Sequence, residues 1–498
     1  MSKTLTDILY VFSSSTLAKF IGAFAAFILP IILEPANYGV WITLLLVITY
    51  APIAALGTVE TLLKQYPYFI GKQEYAEAKR LENSVFSSIL LSAVLLTIAG
   101  LLSYLAILNF SLSAYGLHIL IMFLTSSICI ISSFFYYRIM ARQYFKGASY
   151  IDFARAISSL VFLVSFSLIW QLKGAVFGFF FSETLICIFS VILSYRICGS
   201  IDFNWNYQLM SSAVRIGFPI TIAFWILSLQ ISADRIVSMA MLGNTQTGFY
   251  GLGATFVSTI ILIPAAVNRV LYPKISYGIG RNADQETILN LVLLPVRALS
   301  IVIPVLIGIL IFVLPSIYHM IFPKYLPGLV SAQILLVGSF CICFIGNGTN
   351  YLIASDKQKT LVCFAVMSLA ANYLLAISAV NLGWGIEGIA LSTGISLFLL
   401  TVLIWLSAFR KMGFAISEVL VTMFNLYTPM ILMCSLLLLF YLVMPFSFND
   451  PGISSFLYAG CFVLLYTLAI FVIPPFRYLV INLYKSFKKS FRKSELYA

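Results

Sequence analysis

Basic side chains stand in this sequence where apolar neighbours leave them no water. Lys19 lies about 11 residues into an apolar run, roughly 17 Å deep at the rise of a helix, and Arg297 lies about 10 residues into another, at similar depth. Near the middle of a hydrocarbon layer neither side chain reaches an interface, so each must face a bundle interior or a wet cavity. There a cation does one of two things. It grips an anion, which arginine does with a bidentate fork, or it closes a buried ion pair that only packs the fold. Asp234 and Arg235 form a third deep site, about 8 residues and roughly 12 Å from the nearer end of their helix. Adjacent residues on a helix point about 100° apart, so these two pair poorly with each other and each needs another partner. Either Arg235 faces a cavity and Asp234 makes a structural bond, or the reverse holds.

Three further arginines, Arg155, Arg215 and Arg269, fall near the ends of expected helices. They read equally as the basic mouth of a cavity and as snorkelling anchors. Arg138 reads as an anchor. Acids are few. Glu183, about 9 residues into its apolar run, either pairs with a cation or carries a coupling proton on a carboxyl made less acidic by burial. Asp234 is the second coupling candidate. Glu60 with Lys64, and Asp152 with Arg155, have the spacing of helical surface pairs. No Asp-x-Asp or Glu-x-x-His cluster appears, so no catalytic residue is expected. The eight cysteines, Cys129, Cys187, Cys198, Cys341, Cys343, Cys363, Cys434 and Cys461, have no metal-ligand spacing with histidine and read as small apolar packing residues. Neither a metal nor a cofactor is expected.

The elements that position these groups follow from composition. Of 498 residues, 61% are hydrophobic and 9% charged, where soluble domains carry about 25% charge. With a mean hydropathy of +1.04, the chain reads as an all-α polytopic membrane protein. Apolar runs of about 20 residues predict fourteen transmembrane helices, at 8–33, 38–63, 82–108, 115–138, 150–170, 174–197, 212–242, 247–272, 287–315, 328–354, 360–380, 385–409, 418–443 and 453–480. No cleavable signal peptide is expected, because the run from Ile8 is too long for one.

Alternate loops carry the Lys and Arg. One set holds Lys64, Lys72, Lys79, Arg80, Arg142, Lys146, Arg196, Lys274, Arg281, Lys357, Lys359, Arg410 and Lys411, and the other only Lys173 and Lys324. The positive-inside rule makes the first set cytoplasmic and puts both termini inside. This segregation also answers the net charge of +12: it marks membrane orientation, and no nucleic-acid partner is expected. The loops of the opposite side, such as 34–37, 171–173 and 243–246, are too short for a domain, so all function must lie within the bundle. The tail, 481–498, alternates aromatic and basic residues and reads as a segment held by lipid headgroups, above all as the anchor of the last span. Prolines within spans, among them Pro52, Pro219, Pro264, Pro304 and Pro429, permit kinks.

The first twelve helices repeat. Leu33, Gly39 and Trp41 match Leu242, Gly248 and Tyr250 at an offset of 209, Gly178 and Ser182 match Gly388 and Ser392 at 210, and Tyr66-Pro67 parallels Tyr272-Pro273. Six spans separate the copies, so they share an orientation, as in transporters whose halves rock about a central site. The expected domains are an N-lobe of helices 1–6 (1–200), a C-lobe of helices 7–12 (201–412), helices 13–14 (413–480) and the basic cytoplasmic tail (481–498).

The stretch 231–250 resembles a known family. Its pattern Asp-Arg-x₆-Leu-Gly-x₄-Gly-x-Tyr, from Asp234 to Tyr250, is similar to that of the Wzx-type O-antigen and polysaccharide flippases, as are Leu33-Glu-Pro-Ala-Asn-Tyr-Gly-Val-Trp41 and Tyr272-Pro-Lys-Ile-Ser276. The resemblance implies the MATE-like fold of the MOP superfamily: two pseudo-twofold six-helix lobes facing a cavity, plus two C-terminal helices. It also implies a bacterial inner-membrane flippase, not an enzyme. Its substrate would be an anionic oligosaccharide on undecaprenyl pyrophosphate, moved to the outer leaflet by alternating access. Lys19, Arg235, Arg297, Arg155, Arg215 and Arg269 would be the cationic cavity set. Expected partners are that lipid-linked substrate, membrane lipids and the polysaccharide polymerase machinery, with proton or sodium coupling through Glu183 or Asp234. The alternatives are a MATE-type drug/cation antiporter, whose substrate wants cavity carboxylates, and a membrane glycan polymerase or glycosyltransferase, which wants a loop domain or clustered acids.

Overall fold

A computed structural model describes residue 18 and residues 21–108, 113–142, 144–280, 285–355, 357–443 and 453–472. Lys19, the loop 444–452 and the tail 481–498 lie outside the described residues, as do the side chains of Lys64, Arg269 and 272–274. The described residues contain no strand, and eleven of their helices are long and apolar enough to cross a membrane. Only helices satisfy their own backbone in hydrocarbon, and the hydroxyls here follow the same rule: Thr43, Thr97, Thr125 and Ser126 each donate to the carbonyl four residues back. Contacts divide the chain into two compact units, residues 1–232 and 233–498.

Unit 1 begins with α1 (Ile21–Ile32) and α2 (Pro35–Tyr50). The sequence predicts one continuous span over 38–63. Instead α2 ends in a 3₁₀ turn over Ala51–Ala55, which holds Pro52, and α3 (Thr58–Gly71) starts after Leu56 and Gly57, at φ of 50° and 80°. The broken ladder is repaired by side chains. Ser92 donates to the Ala54 carbonyl at 2.7 Å, Thr58 to Ala55 at 2.9 Å, and Thr61 to Ala213 at 2.7 Å. At the break Gly57 lies backbone to backbone against Gly217, and a Cβ on either would meet the other's carbonyl.

Next come α4 (Tyr75–Leu108) and α5 (Ser113–Ala141), an antiparallel pair. Ser127 of α5 donates to the Ala93 carbonyl of α4 at 2.9 Å. Val59, Leu62, Leu81, Val85, Ile89, Ile130 and Phe134 from α3, α4 and α5 form the core. The helix α6 (Phe145–Ser158) runs through a π turn (Ser159–Leu163) into α7 (Val164–Cys198). The chain reverses inside α7, at Trp170 and Gln171, the latter at φ of 49°. Gly174 packs on the Phe166 carbonyl and Gly178 on that of Phe162. The two contacts are centred on the same residue, Trp170, as an antiparallel hairpin requires, and small residues let its arms meet.

The long α8 (Tyr207–Gly280) reverses at Gly243, φ 81°. Its first part, through Ser232, belongs to unit 1, tied there by the Gly57–Gly217 contact and by a hydrogen bond between Tyr50 and Ser232. In unit 2, α9 (Gln285–Met320) is followed by a 3₁₀ turn (Pro323–Gly328) and by α10 (Leu329–Ser339), α11 (Ile342–Ala354), α12 (Gln358–Asn381), α13 (Gly385–Lys411), α14 (Ile416–Val443) and α15 (Ile453–Val472). The single span expected over 328–354 is interrupted between α10 and α11, where Thr401 of α13 donates to the Cys341 carbonyl at 3.3 Å. The last two helices fold onto α9. Phe312 meets Phe440 edge-on and Phe462 at a tilt, with ring centres at 5.2 and 5.8 Å, and Gly308 makes room beneath Phe462.

Candidate functional site

The reversal at Gly243 brings the two arms of α8 together, and the deep acid sits between them. Tyr250 donates its hydroxyl to Asp234 Oδ2 at 2.5 Å, and the Arg235 amide donates to Oδ1 at 2.7 Å. One layer nearer the turn, Ser238 and Thr247 share a hydrogen bond of 3.0 Å. Thr393 of α13 stands 3.5 Å from the Tyr250 hydroxyl. Asp234 is buried and Tyr250 wholly so. An acid at this depth survives because two donors replace its water. Arg235 is half-buried, and its Nε has no hydrogen-bond partner among the described residues. In α12, which packs against α13, the amide of Asn372 is buried with both polar atoms unpartnered among the described residues.

Unit 1 has a second deep acid. Glu183 of α7, buried, forms an ion pair with Arg155 of α6, Nε standing 3.5 Å away, and accepts from the Cys129 thiol of α5 at 3.5 Å. Arg155 also donates through Nη2 to Ser132 at 3.3 Å. Asp152, the helical neighbour expected for Arg155, accepts instead from Tyr136 at 3.2 Å. The π turn follows Arg155 within one helical turn. Such turns add a residue and rotate one part of a helix against the next, and they recur at functional sites.

The third acid was not singled out by sequence reasoning. Glu82 of α4 is fully enclosed, with Arg138 Nε at 2.5 Å, Arg142 Nη2 at 2.7 Å and Lys79 Nζ at 3.8 Å. Arg138 is therefore no snorkelling anchor. Its side chain has no exposure, and Nη2 also reaches the carbonyls of Cys198, Gly199 and Ser200 at 3.4, 3.0 and 3.2 Å. Arg142 lies over the Tyr66 ring at 4.7 Å. A signal was present in the sequence. Arg138 and Arg142 stand four apart on one helix face, where like charges repel unless an acid lies between them.

The remaining candidates are placed as follows. Arg297 is half-buried in α9, and Arg215 is exposed near the start of α8. Arg155 and Arg215 belong to unit 1, and Arg235, Arg269 and Arg297 to unit 2; Lys19 lies outside the described residues. Arg155 with Glu183, and Asp234 with the Arg235 amide, are the candidate pairs that the described contacts join. Unit 2 also holds a cavity of about 780 Å³ between α9, α10, α13 and α14, lined by Val337, Phe340, Leu391, Phe398 and Leu437. This lining suits hydrocarbon and has no charge for an anion.

The Glu82 cluster gives a stability prediction. Removing one partner of a buried ion pair leaves a charge without compensation, at a cost of about 3–5 kcal/mol. Glu82→Gln and Arg138→Met should each lower the unfolding temperature of the detergent-extracted protein and its level in membranes. Wild-type unfolding of both variants would show that the cluster carries no stability.

The family model described as polysaccharide biosynthesis protein matches residues 4–278. A search of curated proteins found no match to the chain. Among solved structures, a multidrug resistance MATE family transporter of the MOP superfamily, in its inward-facing conformation, matches with a TM-score of 0.67 at 12% identity, over 80% of this chain and 94% of that one. The lipid II flippase MurJ, in an inward closed conformation, matches with a TM-score of 0.65 at 15% identity, over 93% of this chain and 99% of that one. The Vibrio cholerae MATE transporter VcmN in its bent form matches at 0.56 and 14% identity, over 82% and 98%. At such identities these matches show the fold alone, the one seen in these MATE transporters and in MurJ. Matched over 4–278, more than half its length, the chain belongs to the polysaccharide biosynthesis protein family.

Proposed function

We propose that the protein is a flippase that carries an undecaprenyl-pyrophosphate-linked oligosaccharide, an O-antigen unit or a similar repeat, from the inner to the outer leaflet of a bacterial cytoplasmic membrane. It does no chemistry on its substrate. The observation that carries this reading against a drug/cation antiporter is the state of the acids. Among the described residues the buried acids are Glu82, Glu183 and Asp234, and each already holds a cation or a hydroxyl donor. A cationic drug would need carboxylates that are still available. A pyrophosphate needs cations, and the deep charges are mainly basic. Family membership and the MurJ-like fold support the lipid-linked class. Deleting the gene should leave the lipid-linked saccharide on the cytoplasmic leaflet, with surface polymer lost. Normal surface glycan with altered drug tolerance would overturn the reading.

The proposed architecture is two six-helix lobes, 1–200 and 201–412, then helices 13–14 and the cytoplasmic tail. The fourteen-span count takes α1 as part of the first span and divides the two long helices at Trp170–Gln171 and at Gly243. With both termini inside, a cysteine placed in the 243–246 turn should react with an impermeant reagent from outside, and one placed at 356–359 should not. The opposite pattern would invert the topology.

Lys19, Arg235 and Arg297 are proposed to line one positive cavity, with Arg155, Arg215 and Arg269 toward its mouth. Lys19→Ala and Arg297→Ala should each sharply reduce surface glycan at unchanged protein level. Lys19→Arg should keep part of the activity, and Arg297→Lys should keep less, because the bidentate fork is lost. A fall in protein level instead would mark these residues as structural, and wild-type glycan in both alanine variants would remove them from the substrate path.

Coupling, to a proton or to sodium, is assigned to Glu183 and Asp234 because buried acids are so rare here. Glu183→Gln or Asp234→Asn should blunt the response of transport to an imposed proton or sodium gradient. An unchanged response in both variants would end this assignment. The polysaccharide polymerase remains the proposed neighbour in the membrane.

A further inference from the structure

The segment that leaves α7, residues 199–206, has no regular structure, yet side chains of two helices fasten its backbone. Arg138 of α5 holds the carbonyls of Gly199 and Ser200, and Lys79 of α4 also bonds Ser200. Asn83 of α4 takes the Asp202 amide at 3.3 Å, and Ser87 of the same helix bonds both the amide and the carbonyl of Asn204, each at 3.1 Å. Residues 200, 202 and 204 thus hook onto α4 by their backbones, and Ile201 packs into the core of unit 1. The positions that follow, 202–207, are all exposed, and among them the aromatics Phe203, Trp205 and Tyr207 are 67%, 46% and 76% exposed.

Three large aromatics held outward on a fixed backbone have no place in bulk water. Their surroundings say where they belong. The lipid-facing stripe of α7, with Ile188 and Ile192 exposed, runs down to exposed Tyr195 and Arg196 and on into this segment. Lys79 and Arg80, both partly exposed, flank it on α4. An apolar stripe that ends in aromatic rings and then in cations is the order of groups met on leaving hydrocarbon for the headgroup layer.

We propose that residues 199–207 form a strap that seats Phe203, Trp205 and Tyr207 in the headgroup layer of the bilayer and so fixes the depth of this end of unit 1. The partner is the lipid surface itself: the rings take the interfacial layer, and Lys79, Arg80 and Arg196 face its phosphates. The strap is rigid because the Glu82 cluster and the Asn83 and Ser87 bonds hold it, so its rings are ordered before they meet lipid. The inference does not depend on what the protein transports.

The test uses the full-length protein in vesicles of phosphatidylcholine and phosphatidylglycerol, with the emission of Trp205 taken as the difference between wild type and Trp205→Phe. Lipids brominated near the glycerol end of the chain should quench that emission, lipids brominated near the chain end should quench it less, and aqueous acrylamide should quench it weakly. Asn83→Ala combined with Ser87→Ala, which frees the strap, should increase the acrylamide quenching. Trp205 emission fully open to acrylamide and untouched by brominated lipid would overturn the strap. So would emission shielded from both quenchers, since a protein surface would then cover the ring.

Discussion

A carboxylate or guanidinium buried away from water must find its partners inside the protein, and the described helices are arranged around that requirement. Glu82 shows it most fully. One carboxylate joins α4 to α5 through Arg138 and Arg142, and Arg138 then gathers the carbonyls at the end of α7. A single buried acid thereby fixes three helices and the exit of the chain. Such a cluster adds less net stability than an apolar contact of the same size, because desolvation offsets much of the attraction. It does select one arrangement, since any other would strand a charge.

Close approach of backbones is the second device, and it uses glycine. At Gly174 and Gly178, at Gly57 with Gly217, and at Gly338 with Gly394, helices meet where no Cβ intervenes. With lipid as apolar as the helix surface, association depends on such packing and on hydroxyl bonds across it. The break between α2 and α3 shows the two together. Gly57 allows the left-handed turn and the contact, while Ser92, Thr58 and Thr61 take up carbonyls around it.

Much of this was legible in the sequence. Apolar run length, loop charge and the Asp234–Tyr250 pattern led to the fold and the family, and both reversals fall at turns expected from the sequence, near 171–173 and 243–246. The internal repeat has a physical meaning at matched positions. Gly178 packs on the Phe162 carbonyl and Gly388 against Ala379, so each glycine lets the arms of a helix hairpin meet. Trp41 and Tyr250 also match, but one meets the Phe179 ring and the other bonds Asp234. Register was readable and chemistry was not. The breaks within α2–α3 and α10–α11 were hidden because each falls inside a stretch long and apolar enough to read as one span. Arg138 was misread because depth along a helix says nothing about which way a side chain points. Glu82 stood at the first residue of an expected span, where acids usually meet water.

The two coupling candidates differ in what their neutralisation would release. Arg155 keeps 36% of its side chain exposed beside Glu183. If Glu183 were neutralised, this arginine would lose its ion-pair partner and keep only its bond to Ser132, so the event would leave a less compensated, partly exposed cation. At Asp234 the donor, Tyr250, is wholly buried and also stands 3.5 Å from Thr393 on α13. A proton or sodium ion arriving at Asp234 would have to compete with the tyrosine hydroxyl, and any displacement of that hydroxyl would be felt at α13. Neutralisation at Glu183 would therefore change the charge available to the proposed anionic substrate, whereas neutralisation at Asp234 would change the packing of the α8 hairpin against α13. In the proposed flippase, which would have to hold an anion and change shape, the two acids would suit different halves of the work.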